Sequence, residues 1–237
     1  MRHPVRLFLA LLISAPIMAA DLESDKGKLS YALGYQMGID FQGRNVDIDL
    51  DTLKKGIADA MSNTDPVVPV EELAAQLTAM KERIKQADLE KFKILAENNK
   101  AASEKFLKDN KKRKGVIELP SGVQYRKIDE GEGSRPKLTD TVTVHYRASR
   151  MNGHEFDNSY QKGVPVSFQV DSVLKGWQEV LPLMKKGAHW QLWVPPELAY
   201  GVRGQQDARG QQVVGPNEAL IFEIEIKGIN EVPSAKK

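Results

Sequence analysis

Residues 176–201, GWQEVLPLMKKGAHWQLWVPPELAYG, hold all three tryptophans of the chain with a tyrosine and three prolines. The run opens with helical spacing and ends as an alternating strand stopped by Pro195 and Pro196. Groups for acid–base or nucleophilic chemistry do not gather around it. The chain has no cysteine, which excludes thiol nucleophiles, CxxC redox centres and cysteine zinc sites. Among its four histidines there is no HExxH, so neither metal nor cofactor is expected. GEG at 131–133 never completes GxGxxG and runs into Pro136, so it reads as a turn. What remains is aromatic and aliphatic. The chemistry open to it is that of a dry cavity with apolar walls and a few placed polar groups.

The elements that must position this cluster alternate as strands do: VQYRKI (123–128), TVTVHYRA (141–148), VSFQV (166–170), HWQLWV (189–194) and ALIFEIEIKGI (219–229). Between the third and fourth lies SVLKGWQEVLPLM, the one helical stretch of this half. Residues 115–230 are therefore expected to form an α+β domain, an antiparallel half-barrel of five or six strands wrapped around one short helix. Trp190 and Trp193, at odd spacing, occupy opposite faces of their strand, so at least one of them is structural.

The first half has a different composition. Residues 1–20 show two arginines, an eleven-residue apolar run and Met18-Ala19-Ala20, the layout of a secretory signal peptide too short to span a bilayer. Met18 is not small, which leaves the cleavage point open. Residues 21–68 read as two short helices. One carries Leu29, Leu33 and Met37 on one stripe and Ser30, Gly34 and Gly38 four apart on another. Glycines inside a helix cost about 1 kcal/mol each relative to alanine. Close approach of a partner helix would offset that cost. Two such helices are too small to bury a core alone, and we read them as half of a homodimer. Packing onto the chain's own C-terminal domain is the competing arrangement. Residues 69–114 predict a long connecting helix, since no Gly or Pro occurs from Glu71 to Lys114. Its apolar stripe fades after Leu95, so its first end should pack and its polar end stand in water. KKRK at 111–114 reads as a solvated helix terminus rather than an anion patch. Residues 231–237 are expected to form a flexible tail. The net charge of +2 comes from dispersed, matched charges and does not indicate nucleic acid, and no later segment is long and apolar enough for a membrane span.

Taken singly, the aromatic residues have ordinary explanations: Trp177 as helix core, Asp157 as a strand end, Tyr200 as a packed loop tyrosine. VTVHY (142–146), FDNS (156–159), VLKGWQEVLPLMKKG (173–187), PPELAYG (195–201) and GPNEALIFEIEI (215–226) together resemble the FK506-binding-protein class of peptidyl-prolyl isomerase. The resemblance runs from about residue 120 to 230. The arrangement of signal, helical module, long helix and sheet domain is similar to the Mip/FkpA-type subgroup of Gram-negative bacteria, which implies a periplasmic or outer-membrane-associated dimer. It also implies a proline pocket with Trp177 as floor and Phe156 and Phe222 as walls, completed by Val173 and Leu174. The Leu174 N–H and Tyr200 hydroxyl would meet substrate carbonyls, and Asp157 would sit beside Tyr146 at the rim. Tyr146, Asp157 and Tyr200 are thus the catalytic candidates. The chain departs from the pattern at Val166, where a wall phenylalanine is usual, and in the long polar loop after Tyr200. There Val213 and Val214 would supply the apolar contacts.

The function implied is rotation of X–Pro bonds in exported, partly folded proteins, together with chaperone activity and binding of FK506- or rapamycin-like inhibitors. A holding chaperone whose dimeric clamp binds clients through avidity, with isomerisation incidental, is the alternative. A scaffold with a vestigial pocket is a third.

Overall fold

The computed structural model describes residues 22–230, so the expected signal peptide and tail lie outside the described residues. The chain divides into two compact units, residues 1–85 and 86–237.

The first unit contains α1 (Asp25–Gly43), α2 (Leu50–Met61) and the beginning of α3 (Val70–Asn110). Ser24 caps α1 by accepting the Gly27 N–H at 3.0 Å, and Asp49 caps α2 by accepting the Thr52 N–H at 2.7 Å. Asn45 and Asn63, both with positive φ, follow the two helix ends, where an asparagine tolerates the left-handed turn. No residue of α1 or α2 is buried. Leu29, Leu33, Tyr31 and Tyr35 are all about 60% exposed, and a Cβ built on Gly34 or Gly38 would meet nothing.

The second unit contains the rest of α3, then β1 (Ile117–Glu118), β2 (Gln124–Asp129), β3 (Thr141–Arg150), β4 (Glu155–Asn158), β5 (Val166–Gln169), α4 (Lys175–Val180), β6 (His189–Val194), β7 (Gln205–Gln206), β8 (Gln212–Val214) and β9 (Leu220–Asn230). Seven strands form one antiparallel sheet in the order β1-β2-β6-β9-β3-β4, with β5 also paired to β3. The five strands expected are present, and β1 and β4 are added. β1, at two residues, is too short to carry a period-2 signal. β7 and β8 make a separate hairpin in the loop after Tyr200.

The core lies between the inner sheet face and α4. Val142, Val144, Leu192, Ile224 and Ile226 are fully buried from the strands, with Val180 and Leu181 from α4 and the turn after it. Gly176 sets the closeness of that packing, because a Cβ there would fall 2.5 Å from Val194 Cγ1.

One expectation is overturned. One face of the polar half of α3 does not stand in water. Ala96, Ser103 and Asn110, seven residues apart, are 6%, 1% and 2% exposed. Asn110 Nδ2 donates to Gln124 Oε1 at 2.9 Å, and Gln124 Nε2 donates to the Leu107 carbonyl at 2.9 Å. This end docks on the domain through small and polar side chains, whereas Leu73, Leu77 and Leu95 of the apolar stripe are 39–54% exposed. Buried hydrogen bonds mark this contact alongside the half-buried Phe106 and Leu107, and a hydrophobicity pattern does not register the polar part.

Candidate functional site

Trp177 is the third residue of α4 and follows Gly176, which packs closely against Val194. Its indole is 4% exposed. Three rings meet it edge-on: Phe222 from β9 at 5.3 Å and 89°, Tyr146 from β3 at 5.5 Å and 78°, and Phe168 from β5 at 6.1 Å and 88°. Edge-to-face contacts of this kind stabilise by about 0.5–1.5 kcal/mol beyond area burial and fix ring orientation. The indole N–H is buried without a hydrogen-bond partner, so the surroundings of this floor are apolar.

Around the buried rings the exposure rises. Phe156, Val166, Val173, Leu174, Tyr200 and Val213 are half-buried and packed against the core, while Val214 is 1% exposed. Every candidate except Asp157 belongs to this one hydrophobic cluster. The arrangement is a cluster with the buried indole at its base and partly solvated side chains around it.

Asp157 joins through hydrogen bonds. The Tyr146 hydroxyl donates to Asp157 Oδ2 at 2.5 Å, and Lys162 Nζ donates to Oδ1 at 2.6 Å. β4 pairs with β3, with Asp157 opposite Ala148, which brings its carboxylate over Tyr146. Partial burial alone would raise the Asp157 pKa, but the Lys162 and Tyr146 hydrogen bonds and the Lys162 charge hold it below the usual carboxylate value. Burial pushes the Tyr146 phenol well above its ordinary value, and the Asp157 carboxylate adds to the effect. Tyr200 is raised for the same two reasons, which places its hydroxyl in the field of Asp157. At neutral pH the rim therefore holds one fixed carboxylate and two protonated phenols, both donors.

Phe168 was not among the residues singled out from sequence. The signal was available, since Phe168 lies two residues from Val166 in a strand and shares its face. Both pack against the core, with the rings of Tyr146 and Phe168 6.1 Å apart. The other two tryptophans lie away from the cleft. Trp190 stacks on Tyr125 at 4.7 Å and 10°. Trp193, 2% exposed, pairs with Gln124 and shares the sheet face on which α3 docks. His145 bonds Ser159 at 3.0 Å and stacks on Tyr160; His189 bonds Glu223 at 2.8 Å. Among the described residues no three His, Asp or Glu side chains group to hold a metal ion.

Comparison with known proteins places the chain in a family. Residues 132–227 match the sequence profile described as FKBP-type peptidyl-prolyl cis-trans isomerase, and residues 26–126 match the domain amino-terminal to it. "Outer membrane protein MIP" of Legionella longbeachae is 38% identical over 226 residues, 94% of this chain and 95% of that protein. The chain belongs to the FKBP-type peptidyl-prolyl isomerases. "Peptidyl-prolyl cis-trans isomerase Mip" of Coxiella burnetii is likewise 38% identical, covering 95% of this chain and 96% of its own. The crystal structure of FkpA from Escherichia coli superposes with a TM-score of 0.70 at 33% identity, over 89% of this chain and 99% of that one. This enzyme is thus an isomerase of prolyl peptide bonds with an α+β catalytic domain behind an α-helical module. Among the described residues no helix is long and apolar enough to cross a membrane.

Proposed function

We propose that the Trp177 cleft binds the X–Pro imide and catalyses its rotation without acid, base or metal. Amide resonance opposes the rotation with a barrier of about 18–20 kcal/mol. The twisted imide has lost that resonance and its polarity. A dry aromatic cleft therefore favours it over the planar, well-hydrated ground state. Trp177 lies under the pyrrolidine ring, with Phe156, Phe168, Phe222, Val166 and Val173 around it. The Leu174 N–H and Tyr200 hydroxyl hold substrate carbonyls, Val213 and Val214 close the loop side, and Asp157 and Tyr146 orient the rim. The observation that carries this reading is the indole met edge-on by three rings beneath a half-buried rim. Lowering the barrier by about 5 kcal/mol gives several thousandfold. Trp177→Leu should abolish turnover of a proline tetrapeptide, and FK506 should inhibit the unaltered enzyme. Turnover persisting in the variant refutes the assignment.

The same reading makes the protein an exported homodimer that meets partly folded clients. Support comes from the signal-like residues 1–20, from the name of the Legionella relative, and from helices α1 and α2, which bury nothing and leave Gly34 and Gly38 open. Exposed apolar side chains spread over both helices and the start of α3 call for a second copy. Each proline isomerisation takes tens of seconds uncatalysed and can limit folding, so catalysis beside two client-binding arms suits chaperoning. A variant lacking residues 22–68 should keep peptide turnover and lose protein-refolding activity.

A further inference from the structure

The docked half of α3 reaches the cleft loop through four hydrogen bonds. Ser103, 1% exposed, donates its hydroxyl to the Asn217 carbonyl at 2.9 Å and accepts the Ala219 N–H at 2.8 Å. Asn99 Nδ2 donates to the Pro216 carbonyl at 2.8 Å, and Asn217 Nδ2 donates to the Ala96 carbonyl at 3.3 Å. Gly215 is pressed against the same helix; a Cβ there would lie 2.6 Å from Asn99 Nδ2. The turn they hold, residues 215–219, directly follows Val213 and Val214. It also reaches Tyr200, because the Asn217 N–H donates to the carbonyl of Gly201 at 2.9 Å. Asn217 itself stands at φ 52°, a backbone state that an unrestrained turn readily leaves. Glu218, 5% exposed, accepts the Gly215 N–H at 2.9 Å and pairs with Arg150 at 2.8 Å, which ties the far side of the turn to β3.

We propose that Ser103 and Asn99 are positioning residues for prolyl isomerisation, fixing from α3 the turn that sets Val213, Val214 and Tyr200 at the cleft. This rests on the reading that those three residues wall the cleft. Ser103→Ala leaves a buried N–H and a partly buried carbonyl without this partner. The turn recovers them by shifting toward water, and its shift moves the loop wall and the Tyr200 hydroxyl together. Displacements near 1 Å far from the reacting bond are enough to lose large factors in rate. Because the wall contacts ground state and transition state alike, the loss should appear mainly in KM.

The test uses the full chain, with kcat and KM for a proline tetrapeptide measured well below the unfolding transition, and thermal denaturation alongside. Ser103→Ala and Asn99→Ala should raise KM by roughly ten- to a hundredfold, and Ser103→Thr, which keeps the hydroxyl, should restore most of it. Asn110→Ala is the reference: it breaks a buried α3 contact remote from the loop, and should lower Tm while turnover stays unchanged. Wild-type kinetics for both Ser103→Ala and Asn99→Ala overturn the proposal, as does an equal kinetic loss in Asn110→Ala. Trp177→Leu, assayed beside them, separates the two readings. Retained turnover there overturns the cleft assignment; loss there with unaltered Ser103→Ala and Asn99→Ala overturns the coupling alone.

Discussion

Trp177 and Phe222 meet edge-to-face, with ring centroids 5.3 Å apart and planes at 89°. One is carried by the single helix of the sheet domain and the other by its longest strand, so the contact joins the two layers and shapes the base of the cleft. Phe222→Ala would empty a buried site at a cost of about 3–5 kcal/mol, mixing stability with catalysis. Phe222→Leu largely conserves volume and should cost less than about 1.5 kcal/mol. It should still lower kcat/KM at least severalfold, since the flat wall is lost. Chemical denaturation together with peptide turnover checks both numbers.

Gly176 admits α4 to the sheet. Gly176→Ala places a methyl against Val194 Cγ1, a stiff β-branched neighbour that has little room to swing away. Overpacking of this kind costs about 1–3 kcal/mol, and relief comes by lifting α4, which carries Trp177. A lower midpoint in urea and reduced turnover should therefore appear together.

Proton-linked behaviour follows from Asp157. Its folded-state pKa is depressed by Lys162 and Tyr146 below the ordinary 3.8. Its contribution to stability is therefore complete above that ordinary value and is lost as pH falls through the folded value. Across the neutral range nothing in the cleft titrates, because the Tyr146 and Tyr200 phenols are pushed upward. Peptide turnover should be flat from about pH 5 to pH 8, in contrast to an acid–base enzyme. A bell-shaped profile centred near neutrality would contradict the assignment. Tyr146→Phe removes one of the two side-chain donors to Asp157 and should move the acid limb upward.

Oligomeric state gives a prediction with opposite signs. Gly34 and Gly38 have open space within one chain. In a monomer, Gly34→Leu combined with Gly38→Leu would strengthen α1 by up to about 1 kcal/mol per site. In a dimer packed on this stripe, the added side chains hold the helices apart. We expect sedimentation to report a shift toward monomer, with peptide turnover retained.

The sequence by itself determined the five principal strands, the short helix between them and the unbroken run of helix formers in α3. Each of these carries a period or a composition of its own. The aromatic identities at Trp177, Phe156, Phe222, Tyr146 and Tyr200 were legible because several quoted segments occur in family order. Only the tertiary structure decided which rings touch, that Phe168 completes the set, and that Trp193 faces the opposite side of the sheet. It also showed that one face of the polar half of α3 is buried. Ala96, Asn99, Ser103 and Asn110 repeat along one helix face, yet they are small or polar and add nothing to an apolar stripe. Ala96, Asn99 and Ser103 bond to groups more than a hundred residues away, at 216–219. Local propensity and hydrophobic period register area removed from water; they are blind to a contact whose energy lies in satisfying distant backbone groups.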